Sequence, residues 1–275
     1  MKKLMMIPLL ALAACTQNNV AETLKVDAAN KSQIINGENV TASEAYAEST
    51  VALLGRNPRD GSVVPYCTGT LISRNLVVTA SHCTQMLERV QTKIFFGTEL
   101  PDSFEHANAI EIEEAISHRD FGVNSRTERS EYDVAVIKLV SDAPEGFKPV
   151  AILNNVKTLK AGMPMTLVGW GRMSETENIK TVTMQKTVVE IAQVRDQEVV
   201  TDQTRGSGAC NGDSGGPGFI ETSFGLILAG ATRGPESGYE DCHHYGNYTL
   251  LVNYKDFLNY AAQSMEAEYP QFVNY

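Results

Sequence analysis

From Ile34 onward, apolar residues come in short runs or in alternation, separated by turn-forming residues: VALLG, CTGTLISRNLVVTA, TKIFFG, AIEIEEAI, VAVIKLV, PMTLVGWG, TVTMQKTVVEIA, GLILAGAT and YTLLVN. Runs of this length and spacing predict short strands folded as a sandwich or barrels. The alternation in AIEIEEAI and TMQKTVVEIA predicts strands with one face in water, whereas the unbroken runs NLVVTA and VAVIKLV predict strands buried on both faces. Only the end of the chain has a helical period. In NYKDFLNYAAQSMEA, Phe257, Leu258, Ala261, Ala262 and Met265 share one face, and Asn253 is placed to cap it, with Asp256 three residues on. A stretch around 141–162, holding Pro144, Gly146, Pro149 and Gly162, divides the chain into two β lobes, 34–150 and 151–275.

The first residues have a different character. MKK followed by LMMIPLLALAA is a short apolar run behind positive charge, the pattern of an export leader over 1–14, and it is too short to span a membrane in a mature protein. LAAC, Leu12 to Cys15, resembles the bacterial lipobox, in which cleavage precedes a cysteine that is then lipidated. Residues 15–33 lack a sustained apolar period and read as a tether or pro-segment. The expected place is the cell envelope, or outside the cell after release, with membrane contact only through a lipid on Cys15.

Setting Cys15 aside leaves Cys67, Cys83, Cys210 and Cys242, an even set in keeping with export. Four cysteines permit three pairings, of which the nearest-neighbour one closes short loops around 67–83 and 210–242. CxxC and HxxxH spacings are missing, so zinc is not expected. The acidic pairs Glu99 with Asp102 and Glu111 with Glu113 could offer oxygen ligands to Ca²⁺, but a solvated acidic face is the plainer reading, and no metal or cofactor is expected. The net charge of −10 includes four Lys/Arg against two Asp/Glu in the first 33 residues, so the remainder is more acidic still. Such a surface repels phosphate backbones, and nucleic acid is not an expected partner.

The candidate chemistry lies in GACNGDSGGPGF, residues 208–219. A serine hydroxyl that performs covalent chemistry needs a base beside it and donors aimed at the oxyanion it creates. Gly212, without a Cβ, can turn its N–H together with that of Ser214 towards a common point. Asp213 is then a charge in a packed turn that requires a cationic partner. Among five histidines, His82 stands out at the end of an apolar strand beside Cys83. Asp133 enters the hydrophobic run VAVIKLV, where a carboxylate needs a partner. His106 and His118 read as structural or exposed, His243 and His244 as loop residues, and Trp170 as a core residue.

In that order, VTASHC, YDVAVIKL, GWG and GDSGGP resemble the trypsin and chymotrypsin family of serine proteases, over essentially Ile34 to the terminal helix. The resemblance implies an all-β fold of two six-stranded antiparallel barrels with a C-terminal α-helix. It implies a serine endopeptidase acting on proteins or peptides: Ser214 as nucleophile, His82 as base, Asp133 as its orienting acid, and the N–H groups of Gly212 and Ser214 as oxyanion hole. IING, Ile34 to Gly37, resembles the family's activation sequence. An activating protease cutting after Gln33 would free an ammonium at Ile34 to pair with Asp213. Ser81 replaces the alanine common before the family's histidine, and its hydroxyl could compete for a hydrogen bond with His82.

Where trypsins keep an aspartate at the floor of the primary pocket, this chain has Gly208. Gly246 stands where the family often leaves the pocket wall open, and Thr232 takes a rim position. The resemblance thus implies an uncharged, apolar-preferring pocket. Arg233 either favours an acidic substrate residue or is a solvated arginine. The alternative to an enzyme is a catalytically silent relative kept as a binding module, although such relatives usually lose a triad member.

Overall fold

The computed structural model describes residues 34–123, 130–171, 182–239 and 241–275. The leader, Cys15 and the tether lie outside the described residues. Strands β1 (Thr50–Arg56), β2 (Val63–Leu71), β3 (Leu76–Thr79), β4 (Gln91–Phe96), β5 (Ala109–Ser117) and β6 (Ala135–Leu139) close an antiparallel barrel in the order β1-β2-β3-β6-β5-β4. Strands β7 (Pro164–Gly169), β8 (Gln185–Val194), β9 (Glu198–Asp202), β10 (Pro217–Thr222), β11 (Gly225–Pro235) and β12 (Tyr245–Leu250) pair as β7-β8-β9-β12-β11-β10. The ring closes where β10 meets β7 at Thr166 opposite Phe219. The two orders are the same permutation, so this is the expected fold of two six-stranded barrels.

The unbroken apolar runs have a specific cause. Val51 and Leu53 of β1, Val77 of β3, and Ile137 and Leu139 of β6 share one core cluster with Ile94 and Phe96. Their alternate neighbours Ala52, Leu54, Leu76, Val78 and Val136 belong to another, with Val168, Trp170, Phe219 and Leu228 of the second half. Successive side chains of a strand point to opposite faces, so both faces of these strands are covered. The second cluster joins the two halves, and Leu258, Ala261, Ala262 and Met265 at and just beyond the terminal helix (Lys255–Ser264) are part of it. β5 and β8, read as alternating, keep one face towards water.

Several details depart from the sequence reading. β9 and β10 fall in none of the apolar runs: β9 begins with Glu198, and β10 begins with Pro217-Gly218 inside the serine loop. Asn253 does not cap the helix. It sits in a 3₁₀ turn, Leu251–Tyr254, and its side chain donates to the Asp196 carbonyl. Residues 34–40, grouped by sequence with the first lobe, bond to the second. Ile34 lies in the cluster of Leu167, Val189 and Tyr248, Glu38–Asn39 pairs with β8, and the Val40 N–H donates to Met184. Of the two acidic pairs, Glu111 and Glu113 bond to lysines: Lys93 lies 3.1 Å from Glu111, and 2.6 Å from Glu105 as well, and Lys138 lies 3.0 Å from Glu113. Two disulfides are present, Cys67–Cys83 and Cys210–Cys242, which is the nearest-neighbour pairing.

Candidate active site

His82 is presented by a four-residue helix, Ser81–Thr84, that follows β3 directly, and the Cys67–Cys83 disulfide ties that helix back to β2. Asp133 stands just before β6, the strand hydrogen-bonded to β3, so the pairing of two strands brings these residues together. The Asp133 carboxylate is buried. Its Oδ2 lies 2.7 Å from His82 Nδ1, and its Oδ1 accepts from the His82 backbone N–H at 3.0 Å. With both oxygens committed to His82, one on the ring and one on its backbone N–H, the residue is clamped with its Nε2 edge left over. Tyr132, at φ 56°, makes the turn into Asp133, and the Asp133 carbonyl accepts from Thr249 Oγ1 at 3.1 Å. Ser81 does not compete for His82: its hydroxyl is fully buried and donates to the Val134 carbonyl at 2.7 Å.

The serine loop between β9 and β10 packs onto the first barrel so closely that side chains are excluded. A Cβ on Gly215, at φ 78°, would stand 2.0 Å from Thr79 Oγ1 and 2.6 Å from the Thr68 carbonyl. Thr68 on β2 is the hub of this seam. Its N–H donates to the Ser214 carbonyl at 2.8 Å, its hydroxyl donates to the Gly212 carbonyl at 2.9 Å, and the Trp170 N–H donates to that hydroxyl at 3.3 Å. Gly212 adopts φ 104°, and its carbonyl, fastened to Thr68, fixes the 212–213 peptide that follows it. Among the described residues, the N–H groups of Gly212 and Ser214 donate to no protein acceptor, while that of Asp213 between them is bound to the Cys210 carbonyl at 3.0 Å. Backbone donors are ordinarily satisfied, so two free ones flanking a tied one form a built feature. Cys83 Sγ contacts the Ser214 carbonyl at 3.5 Å; as a disulfide sulfur it has no proton to donate. No hydrogen bond joins the Ser214 hydroxyl to the His82 ring in this structure, and in unliganded sites such bonds are often long until substrate closes them.

Asp213 is completely buried. Burial pushes its carboxyl up to about 7, against the pull of two backbone donors, the N–H of Cys210 at 2.8 Å and that of Gly171 at 2.7 Å. Among the described residues no cationic side chain pairs with it. Ile34 is also fully buried, and Ile35 exchanges two backbone bonds with Gly208, at 3.1 and 3.3 Å, which holds the 34–37 segment against the serine loop.

A cavity of about 220 Å³ opens beside Ser214, lined among others by Gln203, Ala209, Thr232, Arg233 and Gly246. Thr232 lines it with its hydroxyl donating to the Gly216 carbonyl at 3.0 Å. Arg233 is neither a free charge for an acidic substrate residue nor solvated. It is largely buried and bonded to Glu198, whose other oxygen accepts from Arg195 at 2.6 Å; Arg195 also reaches Glu236 at 3.0 Å. Gly208 does not line the cavity.

A family model described as Trypsin matches residues 34–259. The chain belongs to the trypsin family. It is 26% identical over 264 residues to phenoloxidase-activating factor 1 of Holotrichia diomphalia, covering 82% of this chain and 69% of that protein. Identity to CLIP domain-containing serine protease B15 of Anopheles gambiae is 27% over 247 residues, covering 78% and 66%. Identity to brachyurin of Leptuca pugilator is 30% over 211 residues, covering 67% and 84%. Membership accounts for the barrel pair and for the four motifs at their seam. Two residues of the site escaped the sequence reading. Thr68 lies in the run CTGTL, whose apolar character suggested only a strand, and Gln203 lies in a polar connection with no motif around it.

Proposed function

We propose that this trypsin-family chain is an exported serine endopeptidase, made as a precursor and activated by a cut before Ile34. The observation that supports it most strongly is the pair of free N–H groups at Gly212 and Ser214 beside a histidine clamped by a buried carboxylate. Ser214 Oγ attacks the scissile carbonyl and passes its proton to His82 Nε2. Asp133 fixes the tautomer with Nδ1–H and stabilises the imidazolium. The tetrahedral oxyanion is received by the two N–H groups, and that of Ser214 needs little reorganisation because the carbonyl of its own peptide, from Asp213, already accepts from the Gly216 N–H at 2.8 Å. The amine leaves with the proton from His82, and water repeats the sequence on the acyl-enzyme.

In this reading residues 1–14 are the signal peptide, Cys15 carries a lipid, 15–33 form the tether, and the lobes 34–150 and 151–275 make one peptidase domain. Cleavage frees the ammonium of Ile34 to meet Asp213, which supplies the cation that the buried carboxylate lacks, and it also detaches the domain from its lipid. The substrates are proteins or peptides. The pocket carries no net charge at its floor, so a buried Lys or Arg would find no compensating carboxylate.

The test is expression of the full-length chain with its own leader, beside Ser214→Ala. The accumulating form is sequenced at its N-terminus, labelled with a fluorophosphonate and exposed to a peptide library. Labelling and cleavage in the form beginning at Ile34, both lost in Ser214→Ala, are expected. A folded form beginning at Ile34 that neither labels nor cleaves would instead support a silent binding module, and full activity in the uncut chain would overturn the activation step.

A further inference from the structure

Gly246, in the lining of the cavity, and Gly208, just behind it, leave space that a single side chain fills. A Cβ on Gly208 would stand 2.2 Å from Gln203 Cδ and 2.5 Å from its Oε1, and a Cβ on Gly246 would stand 2.9 Å from the same oxygen. Gln203 follows β9 directly, is 2% exposed, and lines the cavity with Gly246. The floor that the sequence suggests is bare glycine is therefore a carboxamide.

Its orientation is determined by three backbone partners. The Ala209 N–H can only donate, and it meets Oε1 at 2.8 Å. The Ala209 and Cys242 carbonyls can only accept, and they meet Nε2 at 3.2 and 2.9 Å. Reversing the amide would replace all three bonds with donor–donor or acceptor–acceptor contacts. Both amide hydrogens are thus used, while among the described residues Oε1 accepts only from Ala209, which leaves its second lone pair without a protein donor. An acceptor that cannot rotate away rejects a carboxylate, and being neutral it cannot offset the burial of a full cation. Among the described residues lining the cavity, the charged side chain, Arg233, is spent on Glu198.

We infer that Gln203 is a specificity-determining residue of this chain, and that it selects substrates whose residue before the scissile bond is uncharged and ends in a hydrogen-bond donor, such as Tyr, Gln or Asn. The inference rests on the endopeptidase reading for its consequence in catalysis, but the recognition chemistry exists with or without turnover. A site built to bond a donor discriminates against the analogue lacking it, because a buried acceptor is then left unpaired.

The test compares peptides identical except at that residue, Tyr against Phe and Gln against Glu, in the full-length protein after cleavage before Ile34 and in its Gln203→Met variant cleaved likewise, which keeps length and removes the acceptor. For wild type, kcat/KM is expected to favour Tyr over Phe by roughly fivefold, one ordinary hydrogen bond, and Gln over Glu by more than tenfold. The Tyr:Phe ratio should fall to about one in Gln203→Met. In parallel, binding of N-acetyltyrosinamide and N-acetylphenylalaninamide is measured by calorimetry in the Ser214→Ala background. If no peptide is cut yet the tyrosinamide binds more tightly and loses that advantage in Gln203→Met, the enzymatic reading fails and the floor assignment stands. Equal Tyr and Phe values in wild type by both readouts, or a preference that survives in Gln203→Met, overturns the assignment. Should Gln203→Met not fold, the wild-type Gln:Glu ratio decides: a value near or below one is fatal to the proposal.

Discussion

The two barrels share one strand order and divide the work unequally. The first gives the site His82 and Asp133, both at strand ends, bonded to each other and to backbone through short, direct contacts. The second gives it the serine turn with Asp213, the cavity with Gln203 just past β9, and the strand residues Glu198 and Arg233 that pair beside it. A closed barrel fixes what projects from its strand ends, which suits a base and its orienting acid that must hold one geometry. Loops between strands can be lengthened and refilled without opening the barrel, which suits a pocket.

The comparison is broken most completely by removing a member from either side. Ser214→Ala from the second barrel and His82→Ala from the first are each expected to lower kcat by about 10⁶, and Asp133→Asn by about 10⁴. The double variant Ser214→Ala/His82→Ala should be no worse than either single one, measured by single-turnover hydrolysis of an activated ester. Additive losses would show that the two halves do not act as one unit.

Next in size is the seam itself. Gly215→Ala places a methyl against Thr79 and Thr68 backbone and hydroxyl atoms at a left-handed φ, and a loss of several kcal/mol of stability is expected. Urea unfolding checks this. An unchanged midpoint would mean that the barrels separate easily, contrary to the close approach described.

The charge on Asp213 sharpens the contrast through pH. Its carboxyl is raised in the folded, uncut chain, so its contribution is least costly below the ordinary carboxylate range and worsens as pH climbs towards about 7. After a cut before Ile34, the new ammonium favours the carboxylate and the sign reverses until the amine itself titrates near pH 8. Urea midpoints of Ser214→Ala protein at pH 5 and 7.5 should therefore fall in the uncut form and hold or rise in the cut form. Parallel behaviour of the two forms would remove Asp213 from the activation step. A smaller effect is expected from Thr68→Val, which frees the Gly212 carbonyl: about 1–2 kcal/mol of transition-state stabilisation, read as kcat reduced around tenfold with KM little changed. A change confined to KM would place Thr68 in substrate binding instead.

What was legible in the sequence follows the same division. Period-two alternation and doubly buried runs revealed most strands of both barrels, because each residue's face is decided by its immediate neighbours. β9 and β10 were hidden because Glu198 reaches burial only through the arginines Arg195 and Arg233, and because Pro217-Gly218 reads as a turn. The residues of the seam were visible because a nucleophile, a base and a buried acid have few chemical substitutes. Of the residues expected in the pocket, Thr232, Arg233 and Gly246 line the cavity and Gly208 does not: Gly208 reports only a missing side chain, and what occupies the vacancy comes from Gln203, whose position beside it depends on how β9 and β12 pair. Arg233 likewise cannot be read as free or paired until Glu198 is located in space.

All three partners that orient the Gln203 amide are main-chain atoms, of Ala209 and Cys242. No second side chain must change in step when this one does. Recognition at the floor is thus uncoupled, codon by codon, from the machinery that breaks the bond, so a change at this one position leaves the rest of the site's chemistry in place.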